Sequence, residues 1–122
     1  MKKVGKFEMK TLNECIETAL KHADWLHRRA ESSVFELECT DGHKSFYGKA
    51  RVYFSKLHHE CILISYNTAV MRYDMENQKV SRLWFGYSVT TQRHINAFLD
   101  LVGKSEFAGK HNTEKMNEGV EY

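Results

Sequence analysis

Proline is absent from the 122 residues, which removes proline-rich docking motifs and rigid proline linkers from consideration. Cysteine is scarce. Cys15, Cys39 and Cys61 are three in number, widely spaced and without a C-x-x-C pair, so no disulfide framework is expected and a reduced, cytoplasmic setting fits. Long apolar runs are missing too: nowhere do about 18 apolar residues occur together, the minimum for a membrane span. Met1 to Lys10 is basic but lacks the apolar stretch of a secretory signal, so the chain is expected to be soluble, with no membrane partner. Charge of one sign is lacking as well, since 18 basic residues face 16 acidic ones for a formal charge of +2. So small an excess does not by itself argue for nucleic acid. No internal repeat is visible. There is no Gly-rich phosphate loop, no G-x-S-x-G elbow and no H-E-x-x-H helix.

What remains reads as one α+β domain over residues 1–103 followed by a polar, flexible tail over 104–122. Thr11-Leu12-Asn13-Glu14 has the form of a capping box, and an apolar stripe runs on through Ile16, Ala19, Ala23, Leu26 and Ala30. It predicts a single helix from Leu12 to Ala30. Glu17–Lys21 and Asp24–Arg28 are favourable i, i+4 pairs on its opposite face.

Strands are expected where apolar and polar residues alternate: Phe35 to Cys39, ended by a turn at Asp41-Gly42, and Lys49 to Phe54. Cys61 to Ile64 is apolar on both faces and belongs near the middle of the sheet. Ala69 to Tyr73 and Lys79 to Phe85 flank a polar hairpin connection, Asp74 to Gln78. Ser65-Tyr66-Asn67-Thr68 suits a tight turn or a bulge. After the sheet, Ile95, Phe98, Leu99 and Val102 recur at helical spacing, with Thr90 and Thr91 placed as caps and Gly103 as a left-handed stop. The pattern is a mainly antiparallel sheet of about five strands between an N-terminal and a C-terminal helix.

His58, His59 and Cys61, with Cys39 on another strand, are residue types that zinc accepts, but their spacing matches no closed zinc motif, and no metal is assigned. Ser88, Thr90, Arg93 and His94 gather hydroxyl, cation and base at a helix start, yet they form no complete acid, base and nucleophile set. No catalytic residue and no cofactor are expected. Tyr47, Arg51, Tyr53, Tyr66, Arg72, Tyr73, Arg82 and Trp84 mix aromatic and cationic side chains along the strands, and Arg93 and His94 adjoin them. Such a mixture stacks bases and contacts phosphates, forms the centre of a protein interface, or simply fills a core.

The segment Gly48-Lys49-Ala50 behind an aromatic residue, then Leu63-Ile64-Ser65-Tyr66-Asn67-Thr68, then Trp84 to Phe98 with its Tyr-Ser-x-Thr-Thr-x-Arg-His-Ile spacing, resembles a family of small uncharacterised proteins. These occur on phages, plasmids and other mobile elements of Firmicutes. The resemblance covers about Ser45 to Val102, with Phe85-Gly86 standing between Trp84 and Tyr87. It carries no reaction over to this chain. It implies a counter-defence setting in which a small protein blocks a host defence component, a type II CRISPR effector nuclease being one such target. Tyr47, Arg51, Tyr53, Tyr66, Arg72, Arg82, Trp84, Arg93 and His94 are the expected partner-binding residues. Nucleic acid is the alternative partner, and a homodimer stays open.

Overall fold

The computed structural model describes residues 11–39 and 46–122. The expected turn at Asp41-Gly42 and the basic stretch Met1 to Lys10 lie outside the described residues.

The capping box forms as the sequence dictates: Thr11 Oγ1 accepts from the Glu14 N–H at 3.1 Å, and Glu14 Oε1 accepts from the Thr11 N–H at 2.8 Å. Helix α1 then runs only over Leu12–Lys21. The single helix expected to reach Ala30 is two, because Asp24 Oδ1 accepts the His27 N–H at 2.9 Å and so starts a separate helix, α2, Trp25–Ala30. A short carboxylate that bonds to backbone is worth more at a helix start than inside a helix.

Five strands follow as an antiparallel meander in the order β1-β2-β3-β4-β5: Ser32–Glu36, Ala50–Ser55, Glu60–Ser65, Thr68–Asp74 and Lys79–Arg82. β3 is central, as its apolar run requires. Between β3 and β4 the register slips at Leu63/Ile64: Leu63 pairs Met71 while Ile64 pairs Ala69, which leaves Val70 over as a bulge. Val70 and Met71 are therefore neighbours in sequence and yet both buried. The β4–β5 hairpin is held by Asp74, whose Oδ1 accepts the N–H groups of Glu76 and Asn77 and whose Oδ2 accepts Asn77 Nδ2 at 2.8 Å. β5 stops at Arg82, short of Phe85.

Helix α3, Val89–Leu101, begins two to three residues earlier than the threonine pair suggested. Ser88 is the cap, with its Oγ accepting the Thr91 N–H at 3.0 Å, and Thr91 lies in the first turn with its hydroxyl directed into the interior. At the other end Gly103 adopts φ +78°, and the N–H groups of Lys104 and Gly103 return to the carbonyls of Leu99 and Asp100. That is the expected left-handed stop.

One core joins one face of the sheet to the helices. Val52, Leu63, Met71 and Val80 of the strands meet Ile16 of α1 and Ile95, Phe98 and Leu99 of α3. The tail expected to be flexible is packed onto this assembly. A 3-10 turn at Ser105–Phe107 and a short helix α4, Lys110–Glu114, lie against α3, where Gln92 Nε2 donates to Thr113 Oγ1 at 3.0 Å and the Gly109 N–H to Asn96 Oδ1 at 2.8 Å. Met116 is buried, and the Tyr122 backbone exchanges two hydrogen bonds with Val80, covering part of the free edge of β5. A few well-spaced apolar anchors order this polar stretch. Among the described residues, no helix is long and apolar enough to cross a membrane.

Candidate functional site

Alternation along the strands divides the candidate residues between two faces. Ala50, Val52 and Phe54 enter the core, so Arg51 and Tyr53 face outward. The cross-strand register carries that outer row through Val34, Tyr53, Ile62 and Arg72. Ile62 and Ile64 are only half-buried there, and no helix is packed over them among the described residues.

At one end of this face stands Tyr66, in the two-residue connection between β3 and β4. Its backbone takes φ 57°, a left-handed conformation that glycine adopts without cost and tyrosine does not. Two bonds hold it, one to the residue before β2 and one from β2: the Tyr66 N–H donates to the Lys49 carbonyl at 2.7 Å, and Arg51 Nη2 donates to the Tyr66 carbonyl at 2.9 Å. Lys49 Nζ lies 5.7 Å from the centre of the Tyr66 ring, and the Arg51 guanidinium lies 5.8 Å from that of Tyr53. Tyr66 and Tyr53 are each 45% exposed, and Tyr47 is 72% exposed. Arg72, further along the same face, is anchored by Glu60 at 2.8 Å and Glu121 at 3.7 Å, and the bond to Glu60 raises its pKa above the ordinary arginine value.

Beneath Tyr66 lies the interior polar group. Ser65 Oγ contacts His94 Nδ1 at 2.8 Å and Thr91 Oγ1 at 3.0 Å, with Phe46 edge-on to the imidazole at 4.5 Å and the Tyr66 ring at 5.8 Å. The partner-binding role expected of His94 requires an exposed ring, but it is fully buried. Burial first, with the Arg93 charge beside it, pushes its pKa down to about 4, so the ring is neutral at pH 7. A serine beside a histidine invites comparison with a hydrolytic pair, which needs an orienting acid on the other ring nitrogen and access for substrate. Here Nε2 is enclosed without a partner, and Ser65 is buried. The arrangement ties α3 to β3.

The remaining candidates separate further. Arg93 is half-buried, with its guanidinium 5.1 Å from the Phe46 ring centre and Nη2 3.3 Å from Cys39 Sγ. Arg82 and Tyr73 are buried on the core side, and Trp84 is half-buried against Gly86, where a Cβ would come within 2.5 Å of the indole. Arg82, Trp84, Arg93 and His94 thus do not join the outward-facing group; Arg51, Tyr53, Tyr66 and Arg72 do, and Tyr47 is exposed in the turn that precedes β2. Cys61 is in the core, with its thiol pushed up to about 12 by burial, whereas His58 and His59 sit in the exposed β2–β3 turn. The metal-type residues are not brought together, and among the described residues no group of three or more histidine, cysteine or carboxylate side chains is placed to hold an ion.

Sequence reasoning missed an exposed apolar row. Leu83, Phe85, Tyr87 and Val89 all project to solvent between β5 and the first turn of α3. Their period of two was the available signal, read there as strand. A cleft of about 470 Å³ lies elsewhere, between α1, β1 and α3, and is lined by Leu12, Phe35, Leu37 and Leu101 among others.

Fold and site together define an α+β protein with a five-stranded antiparallel meander, helices on one face and an aromatic and cationic group on the other. The chain belongs to a family of unknown function (DUF8033), whose model matches residues 35–117. That span takes in the whole outward-facing group and the Ser65–His94 interior, and leaves out α1 and α2. Neither a curated protein nor a solved structure matches the chain.

Proposed function

We propose that this protein acts without catalysis, by occupying the surface of a partner protein through the open sheet face. The observation that carries this is the posture of Tyr66: a half-exposed aromatic held in a left-handed conformation by its backbone bonds to Lys49 and Arg51. Glu31, Tyr47, His59 and Gln78 share the left-handed backbone, at a cost of about 1 kcal/mol each, so what sets Tyr66 apart is its ring, half-exposed beside Lys49, and the bond its carbonyl accepts from Arg51. A rigid tyrosine loses little entropy on binding, so it serves well as an anchor. Val34, Tyr53, Ile62 and Ile64 supply an apolar field beside it, and Lys49 and Arg51 suit an acidic counter-surface.

The partner we propose is a host defence component met in the cytoplasm, a type II CRISPR effector nuclease being the specific candidate, in line with the resemblance to mobile-element proteins. Purified nuclease titrated with this protein should lose target cleavage near equimolar ratio and co-elute with it on size exclusion. Undiminished cutting at tenfold excess rejects that target. A second reading is favoured by the Lys49–Tyr66 and Arg51–Tyr53 pairs, which are also the parts of a single-strand nucleic-acid surface. It requires affinity for oligonucleotides that falls steeply with salt. A net charge of +2 makes it the weaker of the two.

A further inference from the structure

Arg82 is a cation almost removed from water; the charge of Glu114 favours its ionised form, but no carboxylate meets it in an ion pair among the described residues. It is 8% exposed; Nη1 donates to the Thr113 carbonyl at 3.2 Å, while Nε is buried with no acceptor. Its guanidinium carbon lies 4.6 Å from the Phe85 ring centre, and no carboxylate is within ion-pairing distance among the described residues. A buried charge left unpaired is strongly destabilising, and a planar guanidinium is suited to a carboxylate held by two parallel bonds. Beside it opens a cleft of about 380 Å³ lined by Ser81, Arg82, Leu83, Phe85, Glu118, Gly119 and Glu121. That volume accepts a group of roughly phenylalanine size, at the lower end of ligand pockets.

We infer that the Arg82–Phe85 cleft is a binding site for a carboxylate carried on an apolar group, the acid meeting Arg82 and the apolar part resting on Leu83 and Phe85. Glu118 and Glu121 also line the cleft and repel such a ligand; Glu121 is partly neutralised by Arg72 at 3.7 Å, so Glu118 is the side chain that limits affinity. The cleft adjoins the β5 end of the open sheet face through Ser81 and the Glu121–Arg72 pair, but the inference does not depend on the function proposed for that face.

The test is a titration of the full chain with 3-phenylpropanoate, with the peptide acetyl-Ala-Leu-Phe as free acid, and with the same peptide as its amide, followed by the Arg82 Nε–H resonance. The Nε–H signal should shift with the acids, and the amide should bind at least tenfold more weakly. Saturation by 3-phenylpropanoate assigns the site to small acids; saturation by the peptide acid alone assigns it to a chain terminus. Phe85→Ala, at a half-exposed position, should weaken binding about tenfold in a protein that still folds, and Glu118→Gln should strengthen it several-fold. An Nε–H signal that ignores all three probes overturns the inference. So does equal binding of acid and amide, or a Glu118→Gln variant that binds no better and melts lower, which would make Glu118 the partner of Arg82.

Discussion

Between pH 6.5 and 4 this protein should lose stability on account of one side chain. His94 is fully buried and its pKa is lowered from 6.5 to about 4, so within that window the unfolded chain takes up a proton that the folded chain refuses. Stability therefore rises with pH across the window, is complete above about 6.5 and is lost as pH falls toward 4. At 1.36 kcal/mol per pH unit the difference amounts to about 3 kcal/mol, a large part of the 5–15 kcal/mol typical of a domain. Asp74, whose carboxyl is held below the usual range by its hydrogen bonds from Asn77, stabilises the fold throughout this window and loses that contribution only as pH falls below the unfolded aspartate value. Urea unfolding of wild type and His94→Gln at half-unit steps from pH 7.5 to 4.5 separates the two groups. Glutamine keeps a polar partner for Ser65 but does not titrate, so the wild-type midpoint should fall steeply below pH 6.5 while that of the variant stays nearly level. Parallel curves would refute the reasoning, because His94 would then be protonating in contact with solvent and the Ser65–His94 pair would not be a closed interior group.

Ser88→Ala removes the α3 cap and should cost about 1 kcal/mol by urea unfolding, whereas Thr90→Ala, at the position sequence spacing favoured, should be nearly neutral. Met116→Ala should cost at least about 2 kcal/mol; an unchanged Tm would mean that residues 104–122 are not docked as described. Tyr66→Gly relieves the left-handed strain while deleting the ring over His94, so its stability should stay within about 1 kcal/mol of wild type. Binding to the partner should nevertheless fall about thirtyfold, as for a central tyrosine anchor, and surface plasmon resonance would register both the loss and any failure of it.

The meander and its central strand were legible because apolar alternation and a doubly apolar run report directly on burial. The helix boundaries were less so. Asp24, Ser88, Thr90 and Thr91 are all acceptable caps by type, and only the backbone decides which of them bonds to a free N–H. Residues 104–122 look polar because their docking depends on a few anchors, Thr113, Met116 and Tyr122, with too short a periodicity to register. The outward-facing group was partly legible: the odd positions Arg51 and Tyr53 follow from strand alternation. Arg82 and His94 carry the same residue types, but the positions of β5 and α3 turn them inward, which no single-sequence pattern specifies. Tyr66 was visible as a turn residue; its left-handed backbone and its bonds to Lys49 and Arg51 were not.

The most direct measurement is affinity capture from nuclease-treated host lysate with wild type and with the double variant Tyr53→Asp, Tyr66→Ser, both confirmed as folded by circular dichroism. Retention of a defined protein by the wild type through nuclease treatment, and its loss by the double variant, is the result expected of a protein-binding sheet face. Capture that is unchanged by the double variant, or that disappears once nucleic acid is digested, would contradict it.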